Sequence, residues 1–397
     1  MKSLLNILQI WFMEIKNTFR DKGILIFVLF VPLMYPLLYS YVYTNEVVRN
    51  VPVVVVDENN SALSRDMIRK MDASPDVDII AKCNNMDEAQ EFLKRQQAYG
   101  IVRIPTDFTK ELAASRQVPV GVYCDMSSLL YYKAILLTAT NVSLEINKNI
   151  KINHYITGTT RQQDEINKMP IQYDYVSLYN PQSGFAAFLI PPVLMLIIQQ
   201  TLLLGIGMSM GNTRELYGGS VIPFHPYYKN PVHIVIGKAL SYLTLYIVLA
   251  VYLFTFVTRT FTLPQLGDYT TFIAFVIPFI LACTFMGMVV SAFVYRREDC
   301  ILLLVFLSVP LLFLSGLSYP APSMPAFWRY ISYIFPSTFG MNGYVRISAM
   351  GASLSDIRFE FIGLWKQAGV YFILACLFYR RQIISLVRKY NHKISTT

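Results

Sequence analysis

A hydrocarbon layer about 30 Å thick leaves a chain few options, because every backbone polar group inside it must be paired within the segment, which a helix achieves with about 20 apolar residues. Five uncharged runs of that length occur here, at residues 24–43, 184–210, 239–258, 269–295 and 300–319. A sixth, 361–379, is interrupted by Lys366, whose stem can carry its ammonium to the interface. The pattern predicts a polytopic α-helical membrane protein with six transmembrane helices. Composition agrees: 54% of the 397 residues are apolar and 15% charged, against about 25% charged in an average soluble domain.

Charge is unevenly spread. Residues 44–180 carry 15 basic and 17 acidic side chains, net −2, and the rest of the chain carries 19 and 8, net +11, so the positive excess lies in the membrane part. The basic flanks are Lys2, Lys16, Arg20 and Lys22 before the first span, Arg296 and Arg297 between the fourth and fifth, and Arg380, Arg381, Arg388, Lys389 and Lys393 after the sixth. An even span count puts them all on one side, so both termini are expected in the cytoplasm and residues 44–180 outside. The first run is too long for a signal-peptide core and lacks a cleavage site, so it is expected to be retained. No lipidation motif alters this topology. Ahead of it, residues 1–23 place Leu4, Leu5, Ile7, Leu8, Trp11, Phe12, Ile15 and Phe19 at helical spacing, which predicts an amphipathic interfacial helix.

The inserted segment reads as an α/β extracytoplasmic domain on a membrane frame. Its balanced charge calls for no nucleic acid. Strands are predicted at 51–56, 77–81, 100–104 and 118–124, each followed by a helical pattern, with Asn85 and Thr106 as N-caps and a final helix from Ser127 to Tyr155 about 43 Å long, enough for a lever or an interaction surface. Asp57, Asp76, Asp78 and Asp125 read as turn and cap residues, and His154 is the domain's only histidine, so no acid–base pair is expected. Cys83 and Cys124, each at a strand end, are candidates for a disulfide in an oxidising compartment. Cys283, Cys300 and Cys376 lie in or beside apolar runs, and no cysteine or histidine spacing suits a metal.

The order of elements resembles the permease subunits of bacterial ABC exporters of the ABC-2 (type V) class: one span, a large outer domain, then five spans. Four stretches carry the resemblance along nearly the whole chain: Val51 to Asp57 with Ser61 to Arg65; Leu178-Tyr179-Asn180-Pro181 entering the second span; Arg214-Glu215 after it; and Leu314-Ser315-Gly316-Leu317 through Pro320 and Pro325 to Pro336. Ser220, after Gly218 and Gly219, stands where the family pattern expects a threonine. The resemblance implies a permease in the bacterial inner membrane, working in efflux and driven by a separate cytoplasmic ABC ATPase dimer that holds ATP and magnesium. It also implies a second permease copy or a paralogue, and a periplasmic adaptor as a further partner.

The residues allow that division of labour. No phosphate-cradling loop is present, since Gly237-Lys238 lacks the upstream glycine and the hydroxyl residue, so no cofactor or catalytic residue is expected in this chain. Surfaces for an ATPase are residues 1–23, the loop 212–230 and the turn 296–299, and the coupling candidates are Arg214, Glu215, Arg296, Arg297 and Glu298. Pro191, Pro192, Gln199, Gln200 and Pro310 suit a bending, partly polar translocation path and equally suit helix packing. Residues 320–360 hold two apolar pieces too short to span, 326–335 and 338–345, which predicts a re-entrant outer hairpin; by resemblance Phe335, Pro336, Phe339 and Asn342 form its outer gate, with Arg329 and Arg346 near the interface. His225 and His233 read as surface residues of a loop. The leading function is export of a hydrophobic or amphipathic substrate. Its rival is a membrane-anchored receptor or assembly factor whose outer domain binds a ligand or protein, which needs neither mid-span prolines nor a hairpin.

Overall fold

The computed structural model describes residues 2–114, 116–126, 129–155, 178–180, 184–223 and 227–395. Ser127, Pro181, His225 and the stretch 156–177 of the expected outer domain lie outside the described residues. The chain divides into two compact units, Met1–Glu46 with Ser177–Thr397, and Val47–Val176.

The first unit opens with α1 (Lys2–Arg20) and, after a break at Asp21, α2 (Lys22–Val42). The second unit contains β1 (Val51–Asp57), α3 (Ala62–Asp72), β2 (Val77–Cys83), α4 (Met86–Lys94), β3 (Gly100–Ile104), α5 (Phe108–Ala113), β4 (Gly121–Cys124) and α6 (Leu129–Tyr155). The strand order is β2-β1-β3-β4; β1 pairs in parallel with both β2 and β3, and β4 runs antiparallel to β3. β1 is central and covered on both faces, which is why it reads as an unbroken valine run rather than an alternation. Val53 and Val55 face α3 and α6 through Met67, Met71, Ile135 and Ala139, while Val54 and Val56 face α4 through Ala89.

Three expectations for this unit need correction. Cys83 ends β2 and Cys124 ends β4, the two edges of the sheet, with β1 and β3 between them, and both thiols are free. Three strand spacings put them about 14 Å apart, beyond the roughly 7 Å Cα limit for a disulfide. The cap of α5 is Asp107, not Thr106, although Asn85 does cap α4 by accepting the Glu88 N–H at 2.8 Å. Nor is α6 a free lever: Ala134, Ile135, Ala139, Val142 and Ile146 are buried in the domain core.

The first unit resumes with α7 (Phe185–Leu216), α8 (Pro231–Thr260), α9 (Tyr269–Val290), α10 (Arg297–Leu314), α11 (Ala326–Ser332), α12 (Pro336–Met350) and α13 (Arg358–Ser395). Among the described residues five helices are long and apolar enough to cross a membrane: α2, α7, α8, α9 and α13. α10 stops at Leu314, five residues short of the expected run, because the chain turns at Gly316, whose φ of +83° suits glycine. Its 18 residues rise about 27 Å. α7 is the hub, burying Ile190, Leu194, Ile198, Leu202 and Ile206, with Pro191 and Pro192 accommodated inside the helix.

Candidate functional site

One of the flank residues singled out by sequence, Arg297, meets an acid that was not, Asp21. Asp21 leaves the helical path between α1 and α2, and its Oδ1 accepts the Gly23 and Ile24 N–H groups at 3.0 and 3.3 Å, capping α2. Arg297, first residue of α10, donates Nη2 to both Asp21 oxygens at 2.7 and 2.6 Å, and Asn212 of α7 adds Nδ2 at 2.9 Å. Burial acts to raise the Asp21 carboxyl. The hydrogen bond from Arg297, the Ile24 N–H, the Arg297 charge and the Gly23 N–H outweigh it and hold the pKa below the usual carboxylate value. The cluster depends on two glycines: a Cβ on Gly211 would stand 3.1 Å from the Arg297 backbone nitrogen, and one on Gly23 3.3 Å from its guanidinium. Three helix ends are thereby fixed together.

Arg214 lies one turn beyond Gly211 on α7, almost fully buried. It donates to the Ala292 carbonyl at 3.0 Å and lies over the Tyr295 ring at 5.1 Å, which ties α7 to the turn between α9 and α10. Glu215, Arg296 and Glu298 are exposed beside Leu216, Phe293 and Tyr295, three large apolar side chains open to solvent. The five coupling candidates therefore divide. Arg297 holds the node and Arg214 ties α7 to the neighbouring turn, while Glu215, Arg296 and Glu298 form an exposed rim.

Sequence reasoning missed Asp21 and Asn212, though an acid set between Arg20 and Lys22 was a signal for the first. It also missed Glu14, whose carboxylate meets Lys238 Nζ at 2.6 Å, both side chains being almost wholly buried, with the Tyr228 hydroxyl donating to the same oxygen at 3.3 Å. Burial, and next to it the Glu14 charge, pushes the Tyr228 phenol far upward. Gly237-Lys238 is thus a packing site: Ile10 of α1 lies over Gly237, and Trp11 donates to Thr244 at 3.2 Å. α1 is docked on α8 by one face, with Leu4, Leu5, Leu8, Phe12 and Phe19 exposed on the other. His233 pairs with Ser3.

Deeper in the bundle, Gln199 donates to Ser337 Oγ at 3.2 Å and accepts from the Cys283 thiol at 3.7 Å, which joins α7, α12 and α9. Gln200 is half-buried, its Nε2 unpartnered among the described residues. Pro310 is exposed on α10. At the break between α11 and α12, three carbonyls that no helix satisfies are taken by side chains: Ser332 O by Thr338, Tyr333 O by Gln367 and Ile334 O by Tyr371, at 2.7, 2.7 and 2.5 Å. Phe335 packs against the core, Pro336 opens α12, and Phe339 is buried between Tyr333 and Phe359. Asn342 reaches the Ser315 carbonyl at 2.8 Å, joining α12 to the end of α10. Arg346 pairs with Glu360 at 3.0 Å, and Arg329 lies over the Tyr330 ring. Gln367 and Tyr371 were missed because nothing local marks a residue that serves a distant carbonyl.

The model of the ABC-2 family transporter proteins matches residues 22–377. The chain belongs to this family. As an ABC-2 permease it is the membrane subunit of an ABC transporter, without an ATPase domain of its own, and it works with a partner ATPase subunit. The permease is 24% identical over 398 residues to the inner membrane transport permease YhhJ of Escherichia coli, covering 96% of this chain and 99% of that protein. It is 19% identical over 323 residues to the probable multidrug ABC transporter permease YbhR of Escherichia coli, covering 81% and 84%. ABC transporter G family member 20 of Dictyostelium discoideum is 24% identical over 301 residues, 73% of this permease and 38% of that protein.

Proposed function

We propose that this permease is the export half of an inner-membrane ABC transporter, and that the Asp21–Arg297–Asn212 node with its exposed rim receives the force of the ATPase. The node supports this reading because it joins the starts of α2 and α10 to the end of α7, so a push on the rim moves three helices together. The rim combines charge at Glu215, Arg296 and Glu298 with apolar surface at Leu216, Phe293 and Tyr295, the mixture of a protein contact. In this reading α10 is a sixth span, both termini are cytoplasmic, and the α/β unit is outside, where an envelope adaptor can dock. ATP and its magnesium stay on a cytoplasmic ATPase dimer.

Six helices enclose little space, so two copies, or one copy with a paralogue, would complete the path. Gln199, Gln200, Pro191, Pro192 and Pro310 serve it, and the α11–α12 hairpin, with Phe335, Pro336, Phe339 and Asn342, closes it on the outer side. The substrate is hydrophobic or amphipathic, as the name of the multidrug relative also suggests. The test is mild extraction from the native membrane with mass determination of what accompanies the chain, next to a Glu215→Ala, Arg296→Ala variant. Co-purification of a nucleotide-hydrolysing subunit, lost in the variant while the chain still folds, is expected. A chain that purifies alone would replace this reading by the anchored receptor.

A further inference from the structure

The exposed side of α2 carries an apolar groove of about 570 Å³, lined by Phe30, Met34, Tyr35, Leu38, Tyr41 and Phe261. Phe261 also lines a smaller, more enclosed cavity of about 100 Å³, together with Ser40, Tyr43, Thr44, Glu46 and Thr260. Two polar atoms of this cavity, the Ser40 hydroxyl and Glu46 Oε1, have no partner among the described residues. Ser40 is 1% exposed, yet its hydroxyl has no partner among the described residues. A buried orphan hydroxyl in a native protein calls for an explanation. Glu46 accepts the Ala187 N–H through Oε2 at 3.1 Å, and among the described residues Oε1 has neither a hydrogen-bond donor nor a cation. A Cβ on Gly184 beneath it would run into the Glu46 carboxylate and push that side chain aside. The Tyr43 ring, held between Tyr39 and Phe185 at 5.1 and 5.5 Å, supplies an aromatic wall.

From this geometry we infer a binding site for a lipophilic cation, one apolar tail ending in an ammonium group, at the shared ends of α2, α7 and α8. A carboxylate beside an aromatic ring is what an ammonium group seeks, and a tail in the groove meets its head at Phe261. The cavity has room for about three waters, enough for a small ammonium group. A phosphodiester would face Glu46 unpaired, because among the described residues no lysine or arginine lines either space, and Arg259, next to Thr260, donates to the Tyr269 hydroxyl. That the ligand is cargo on its way out rests on the export reading; that it binds does not.

The test uses the full chain in phosphatidylcholine nanodiscs with radiolabelled dodecyltrimethylammonium, and the uncharged near-isostere dodecyldimethylamine oxide as competitor. Saturable binding above that of empty discs is expected, with the amine oxide at least about tenfold weaker. Glu46→Gln keeps an oxygen for Ala187 and removes the charge, so it should cost about tenfold in affinity and abolish the preference for the cation. Should that variant melt early, Ser40→Val, which fills the cavity, carries the same test and should block binding. Equal binding of the two probes to the unaltered chain, or unchanged affinity in a folded Glu46→Gln or Ser40→Val variant, overturns the site. Retained phosphatidylethanolamine that dodecyltrimethylammonium does not displace assigns the groove to lipid and also overturns it. Cation binding that leaves the partner ATPase unstimulated keeps the site and removes the export reading; stimulation by other amphiphiles without binding here does the reverse.

Discussion

At 2.6 Å and nearly excluded from water, Glu14 and Lys238 are worth most to the fold as a pair. Removing one partner strands a charge, at a cost of about 3–5 kcal/mol, whereas replacing both with neutral groups of similar size is close to neutral. Lys238→Met should therefore lower the melting temperature sharply, and Glu14→Gln with Lys238→Met should recover most of the loss; equal melting of single and double variants would show that the pair is not coupled. Asp21 makes a prediction of opposite character. Its folded pKa lies below the ordinary value, so its contribution is present above about pH 4 and is lost as pH falls through the depressed folded pKa. Acid unfolding of the purified chain should thus flatten in Asp21→Asn, and an unchanged acid limb would deny Asp21 this role. Flanking charge singled out Arg297 in the sequence, and the family resemblance singled out Arg214. Glu14, Lys238 and Asp21 were not legible as partners, since pairing across 224 and 276 positions leaves no local trace.

Between elements, two junctions carry the geometry. α10 crosses α7 over Gly207 and Gly211, where a Cβ on Gly207 would run into the Cys300 sulfur. This is the small-residue packing that lets membrane helices approach closely. Gly207→Ala should cost about 1–3 kcal/mol through overpacking, and Cys300→Ala in the same chain should return much of it; additive effects in thermal melts would place the helices further apart than described here. The other junction is the α11–α12 break, where non-helical backbone survives because Thr338, Gln367 and Tyr371 take its carbonyls. Gln367→Leu frees the Tyr333 carbonyl, so a Ser337→Cys reporter beneath the break should react faster with a membrane-impermeant maleimide; an unchanged rate would mean that Gln367 does not hold the hairpin shut. The prolines and the two short apolar pieces announced a broken helix in the sequence. Most of what holds it could not be read, because two of the three holding groups lie on α13, 34 and 37 positions away.

For the whole molecule, hydropathy was sufficient to separate a helical membrane unit from an α/β unit, since burial in hydrocarbon and burial in a sheet leave different patterns. The valine run of β1 marked the sheet, but strand order was hidden, and with it the distance between Cys83 and Cys124. The same asymmetry of charge that divides the chain also predicts its sidedness. Positive flanks resist translocation, so the ends bearing Arg20, Arg296, Arg297, Arg380 and Arg381 are expected to stay with the cytoplasm and the balanced segment to cross. Asp78 on β2 and Glu215 at the end of α7 are both exposed and belong to the two sides that this argument assigns. Asp78→Cys should be labelled by an impermeant maleimide in intact cells, and Glu215→Cys only after the membrane is opened. The reverse pattern would turn the permease over, placing the Asp21 node outside, where no ATPase can push on it. Labelling of both in intact cells would remove α7, the span between the two positions, as a crossing helix. Only the first pattern puts the node where nucleotide is hydrolysed and the α/β unit where cargo leaves.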